Sequence, residues 1–119
     1  MNKHEFGMEG QKEAEKFLLS KGYEILQRNF RVRAGEIDLI TKDNEYVVFV
    51  EVKYRHGAGH GLPRESVGLA KQRKICKTAL YYISMNELDN QDFRFDVVEV
   101  LGGGGAIVVT HIENAFEYR

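Results

Sequence analysis

Asp38, Glu51 and Lys53 are the residues of this chain whose types and spacing could do chemistry. Glu51 and Lys53 stand two apart in the run Phe49-Val50-Glu51-Val52-Lys53, so in a strand they project to one face. Val47 and Phe49 lie on that same face, and the stretch Val47 to Val50 reads as a strand buried on both sides. Charges on a buried face cost free energy unless they are paired or hold an ion. Asp38 comes from the preceding alternating run, Glu36 to Lys42, with Ile37 and Leu39 on one side and Glu36, Asp38 and Ile40 on the other. Asp43-Asn44, between the runs, are residue types that suit a tight turn. With those two as the loop, Lys42 pairs with Glu45 and Asp38 falls opposite Phe49. Glu51 is then the diagonal neighbour of Asp38, with Cβ atoms roughly 7 Å apart. Two carboxylates so placed can share one divalent cation, with Lys53 one step further along. A loop one residue longer would shift the register by one and separate them.

The elements that must position these residues can be read in outline. Residues from about Glu5 to Lys21 carry a helical pattern with Ala14, Phe17 and Leu18 inward and Gly22 as the stop. Tyr23 to Val32 is strand-like, the hairpin follows, and a polar loop from Arg55 to Pro63 holds His56 and His60 among glycines. A long helix is predicted from near Glu65 to near Asn86, burying Val67, Ile75, Cys76, Ala79, Tyr82 and Ile83. Phe93 to Leu101 and Ala106 to Ile112 complete an order α-β-β-β-α-β-β, an α/β fold with a mixed sheet flanked by helices.

At 119 residues the chain is expected to form a single domain, residues 1–119. It has no apolar leader and no stretch of membrane-spanning length, and Cys76 is its only cysteine, which together point to the cytoplasm. The net charge of -1 is not that of an overt nucleic-acid binder. The distribution is more telling, because Lys53, Arg55, Arg64, Lys71, Arg73, Lys74 and Lys77 are interrupted by a single acid, Glu65. A local basic surface of this kind meets a phosphate backbone regardless of the overall sum.

A wider text surrounds the three residues. Gly7-x-x-Gly10-x-x-x-Ala14-x-x-Phe17-Leu18 precedes Gly22-Tyr23-x-Ile25-Leu26-x-Arg28-Asn29-x-Arg31. Then come Gly35-Glu36-Ile37-Asp38-Leu39-Ile40, Val48-Phe49-Val50-Glu51-Val52-Lys53, Val67 and Lys71, Arg94-Phe95-Asp96-Val97-Val98, and Glu113-Asn114-Ala115-Phe116. Asp38, twelve residues, then Glu51-x-Lys53 looks like the PD-(D/E)XK motif, with Ile37 in the proline position. Over nearly its full length the chain resembles the small bacterial YraN-like family, placed among restriction-endonuclease-like folds near Holliday-junction resolvases. That resemblance implies an endonuclease-like domain acting on DNA, with branched or nicked DNA as candidate substrates, and a homodimer by analogy with the resolvases. It also implies Mg²⁺ or Mn²⁺ held by Asp38, Glu51 and the Val52 carbonyl, a hard-oxygen set suited to these ions. Lys53 would orient or deprotonate the attacking water, while Arg55, Lys71, Arg73 and Lys74 would meet the nucleic acid. One position departs from the pattern: Gln11 stands where relatives carry a glutamate on the first helix, and glutamine brings no charge.

Each of these has a plainer reading. Glu51 and Lys53 could be a cross-strand ion pair with Asp38 a surface acid, and the whole chain a nucleic-acid-binding or interaction module that keeps the fold without the reaction. Gly102 to Gly105 lacks the Gly-Lys-Ser/Thr of a phosphate loop and reads as a hairpin connection. Glu36 reads as a structural partner of the acids, and Glu15, one helical turn beyond Gln11, as a possible substitute for the missing helix carboxylate.

Overall fold

The computed structural model describes residues 3–56, 67–103 and 105–118, with side chains from residue 9 onward. The elements run α1 (Lys3–Ser20), β1 (Glu24–Val32), β2 (Gly35–Asp43), β3 (Tyr46–His56), α2 (Leu69–Met85), β4 (Asp92–Gly102) and β5 (Val108–Phe116). The five strands lie in the order β1-β2-β3-β4-β5. Neighbours are antiparallel except β3 and β4, which run parallel because α2 carries the chain back between them. This is the mixed α/β sheet with flanking helices that the residue pattern predicts. No helix among the described residues is long and apolar enough to cross a membrane.

β3 is the middle strand, and its alternation sorts two cores. Val47 and Phe49 point to the α2 side, where they pack with Ile75, Cys76, Ala79, Tyr82, Phe95 and Val97. Val48 and Val50 point to the α1 side, against Ala14, Leu18, Tyr23, Val98 and Val100. On the α2 side Phe49, Phe95 and Phe116 stack in sequence, with ring centroids 5.6 and 5.1 Å apart. α1 approaches the other side closely. A Cβ on Gly10 would stand 2.5 Å from the Tyr54 Cβ, so no larger residue fits between helix and strand without a shift.

Three local expectations are corrected. The β2–β3 loop is Asn44-Glu45, not Asp43-Asn44: Asp43 pairs with Tyr46, Lys42 with Val47 and Leu39 with Val50. Asn44 takes the positive φ of 52° that the turn needs, a conformation asparagine tolerates. The loop keeps two residues but slides by one, so each pairing moves by two and every side chain keeps its face. The second helix begins at Leu69 instead of near Glu65, with Val67 buried ahead of it and its carbonyl accepting from Gln72 Nε2 at 2.8 Å. β5 continues past Ile112 to Phe116 by way of a bulge at Asn114, whose φ is 51°. His60 and Arg64 lie outside the described residues.

Both helices end in the same way with different residues. After α1, Tyr23 N–H donates to Leu18 O and Gly22 N–H to Leu19 O, with Gly22 at φ 90°. After α2, Leu88 N–H donates to Ile83 O and Glu87 N–H to Ser84 O, with Glu87 at φ 54°. These are Schellman caps, and only the first has the glycine that such a left-handed position favours. Glu87→Gly is therefore expected to stabilise the fold by about 0.5–1 kcal/mol, raising the thermal midpoint by a few degrees. Gly22→Ala should lower it. A calorimetric melt in which Glu87→Gly lowers the midpoint would refute this account of the caps.

Candidate active site

The site forms where β2 parts from β3. The β2–β3 ladder ends at Leu39–Val50, one residue before Asp38 and Glu51 would face each other. In place of a strand backbone, Asp38 Oδ2 accepts the Val52 N–H at 2.8 Å. The kink has a visible cause. Ile37 belongs to the α2-side core and Leu39 to the α1-side core, whereas a regular strand would put both on one face. This corrects the alternation expected for β2. The same break occurs on β1, where Arg28 pairs with Leu39 and Phe30 with Ile37, flanking Asn29 at φ 49°. Asp38 thus sits at a twist shared by two strands, its carboxylate turned toward β3.

Glu51 comes from β3 and is only 6% exposed. Its Oε1 lies 2.8 Å from Lys71 Nζ and 3.8 Å from Lys53 Nζ. Burial and the nearby Glu51 charge push the Asp38 carboxyl up to about 7, although the Val52 N–H and the Lys71 ammonium pull the other way. Lys53 is held below the ordinary lysine range by burial and by the adjoining Lys71. Lys71 moves upward, because its hydrogen bond and charge interaction with Glu51 outweigh its own partial burial. Asp38, Glu51 and Lys53 do converge, and Lys71 joins them from α2.

Helix geometry brings Lys71 there. Thr78, Ile75 and Tyr82 face the sheet, and Lys71 continues their i, i+3/i+4 row one turn toward the N-terminus. Lys74 packs by its Cβ and carbonyl against Gly35 at the start of β2, where an added Cβ would meet Thr78 Oγ1 at 3.0 Å. Arg73 and Lys74 are exposed on this part of α2. Arg55 lies against an acid, its Nε 3.1 Å from Glu99 Oε2 in an ion pair without hydrogen-bond geometry. From the sequence alone, Lys71 reads as one of four basic residues facing nucleic acid. The signal for its closer role is its position two turns ahead of Thr78 on the buried row, which becomes readable only once the helix start is known.

Among the described residues, Glu15, Glu36 and Asp96 are occupied elsewhere. Gln11 and Asn29 exchange amide hydrogen bonds at 2.9 and 3.1 Å, and Asn29 Nδ2 donates to Glu36, which also pairs with Arg31 at 3.1 Å. Glu15 is engaged by the Arg28 guanidinium, so it does not replace a helix carboxylate at the site. Asp96 serves the opposite side of the sheet. It is fully buried and accepts from His111 Nε2, from Arg94 and from the Asn114 N–H of the β5 bulge, which fastens β4 to β5.

The donor set fits a hard divalent cation. Asp38 and Glu51 supply carboxylate oxygens, and the Val52 carbonyl points to the same strand edge as its N–H, which Asp38 already touches. Among the described residues no group of three or more His, Cys, Asp or Glu side chains is gathered closely enough to hold a metal. Two carboxylates suit Mg²⁺, which keeps several waters and completes its octahedron with substrate phosphates.

Comparison with known proteins bears on the same residues. The model of the uncharacterised protein family UPF0102 matches residues 10–100, a span that holds Asp38, Glu51, Lys53 and Lys71. The chain belongs to the UPF0102 family. It is 47% identical over 116 residues to a UPF0102 protein of Clostridioides difficile, covering 98% of this chain and 100% of that protein. A UPF0102 protein of Thermodesulfovibrio yellowstonii is also 47% identical, with 98% and 99% covered. One from Clostridium acetobutylicum is 47% identical over 110 residues, 91% of this chain and 90% of its own length. The resemblance to the small bacterial YraN-like family is thereby borne out.

The raised Asp38 carboxyl has a stability consequence with a definite sign. In the metal-free fold it stays protonated above the pH at which the unfolded chain ionises. Stability therefore falls as pH rises from near 4 to near 7, and the penalty is complete above that window. Asp38→Asn keeps an acceptor for the Val52 N–H but cannot ionise. Its chelator-treated form should come closest to wild type near pH 4 and melt higher at pH 8. A wild-type midpoint that climbs between pH 5 and 8 relative to Asp38→Asn would contradict the crowding of the two acids.

Proposed function

We propose that this UPF0102 protein is a metal-dependent endonuclease domain, of the restriction-endonuclease-like kind, that hydrolyses phosphodiester bonds in DNA, with branched or nicked duplexes as candidate substrates. The observation that carries this reading is the convergence of Asp38, a nearly buried Glu51 and Lys53 at the parting of β2 and β3. Asp38, Glu51 and the Val52 carbonyl would hold Mg²⁺ or Mn²⁺. A cation there supplies Lewis-acid polarisation of a phosphoryl oxygen and a bound water of lowered pKa. The chain's own groups do the rest. The Val52 N–H fixes the rotamer of Asp38, and Glu51 is held by the strand backbone on the buried face. The lowered pKa of Lys53 brings its amine closer to working pH, which suits it to orient a water and exchange a proton. Arg73 and Lys74, both exposed on α2, would contact the sugar-phosphate backbone without reading sequence.

A second reading, a binding module that retains the fold without the reaction, is favoured by one particular: the amide of Gln11 is spent on Asn29 and contributes no charge to the acids. Labelled linear, nicked, flapped and four-way DNA, incubated with Mg²⁺, Mn²⁺ or chelator, separates the two. Wild type should cut at least one substrate only with the ion. Lys53→Ala should lose at least about a hundredfold in cleavage rate while keeping most of its DNA affinity, since its part is played in the transition state. An intact wild-type protein that binds DNA and cuts nothing on the panel would leave the binding module as the better account. Charge-removing substitutions at Arg73 and Lys74 should each lower the slope of log affinity against log salt by about one.

A further inference from the structure

Lys71 has a relation to Glu51 that the nuclease reading does not require. Its ammonium is the cation closest to Glu51, at 2.8 Å, whereas Lys53, from the motif itself, stands a further ångström away on the same oxygen. The partners are unequally exposed, with 45% of the Lys71 side chain accessible and 6% of Glu51. A nearly buried carboxylate beside a second acid needs a positive neighbour, and a flexible lysine on the first turn of a helix can supply it and withdraw. α2 begins at Leu69, so Lys71 lies in its first turn.

We propose that Lys71 is a built-in place-holder for the divalent cation, occupying Glu51 in the metal-free protein and leaving it when the ion binds. The inference rests on the metal site proposed above and deepens it. The ion must win the Glu51 oxygen from an ammonium already bonded to it, so the lysine sets a threshold below which the site stays empty. Once displaced, the ammonium is free beside Lys74, three residues along the same side of α2. Metal loading thereby adds one cation to the surface offered to phosphate, and the two ligands favour each other by linkage.

Mn²⁺ titration of the full chain by calorimetry tests this, together with melts in chelator. Lys71→Met, which keeps the stem and removes the charge, should bind Mn²⁺ about tenfold more tightly than wild type. It should also melt lower without the ion and gain more in midpoint when the ion is added. Lys71→Arg should stay within a few-fold of wild type. A second measurement needs no variant: Mg²⁺ should raise the acylation rate of Lys71 relative to Lys77 in wild type, followed by mass spectrometry. It decides the matter if Lys71→Met does not fold. Equal Mn²⁺ affinity in wild type and Lys71→Met, or a Lys71 acylation ratio that Mg²⁺ leaves unchanged, overturns the place-holder and leaves the metal site standing. Absence of Mn²⁺ uptake by wild type and both variants, at every concentration tried, overturns the metal site and the place-holder together.

Discussion

β3 is buried on both faces through Val50 and then, without leaving the sheet, carries Glu51 and Lys53 on the face that Val47 and Phe49 have just declared apolar. Everything around the site answers the electrostatic problem this creates. A carboxylate in that position loses most of its hydration, and only nearby positive charge or hydrogen-bond donors compensate. The answer is built from three directions. β3 itself offers Lys53, α2 brings Lys71 across the sheet, and β2 turns away so that Asp38 meets a backbone N–H instead of another strand. The parting of β2 and β3 is thus a consequence of the same requirement. A continuous ladder would have filled the space with two backbones and left no edge for side chains.

The basic residues divide accordingly into two populations. Arg28, Arg31, Arg55 and Arg94 are each engaged by an acid, at Glu15, Glu36, Glu99 and Asp96 respectively. Arg94 also reaches Asp43 at 3.1 Å and lies over the Tyr46 ring, tying the β2–β3 hairpin to β4. The pairs of Arg55 and Arg94 are partly buried and specify geometry more than they add stability, whereas those of Arg28 and Arg31 lie at the surface and add little. Among the exposed cations of α2, Lys74 lies against the start of β2, while Arg73 and Lys77 turn away from the sheet. A chain of net charge -1 can therefore present a basic face, because many of its acids are spent inside the molecule.

The sequence was legible where a residue's fate is decided by its immediate neighbours. The buried run of β3, the inward residues of α2 and the glycine stop of α1 all follow from periodicity and backbone preference. Asp38, Glu51 and Lys53 could be placed on one face because a strand's period of two survives a loop that slides by one residue. What could not be read depends on partners distant in the chain. Ile37 and Leu39 obey alternation until Asn29, on another strand, adopts a positive φ and the pair of strands twists together. Lys71 looks like any surface lysine until the start of α2 is fixed to within a turn. Asp96 gives no hint that His111, Arg94 and a bulge at Asn114 will all converge on it.

The parallel register of β3 and β4 has a further consequence, in time instead of space. Tyr46 pairs with Asp92 and His56 with Gly102, a constant separation of forty-six residues (92 − 46 and 102 − 56). Every other strand pair joins neighbours in sequence through a short turn or loop. Hairpins close in microseconds, whereas a pairing across so long a stretch must first overcome its loop-closure entropy. The β1–β2–β3 meander is therefore expected to assemble ahead of the crossover, bringing Asp38 and Glu51 side by side before α2 has docked its lysine. During that interval the two carboxylates still have water about them, and their desolvation comes only with the last strand pairing, when a compensating charge arrives on the same element that shuts the water out.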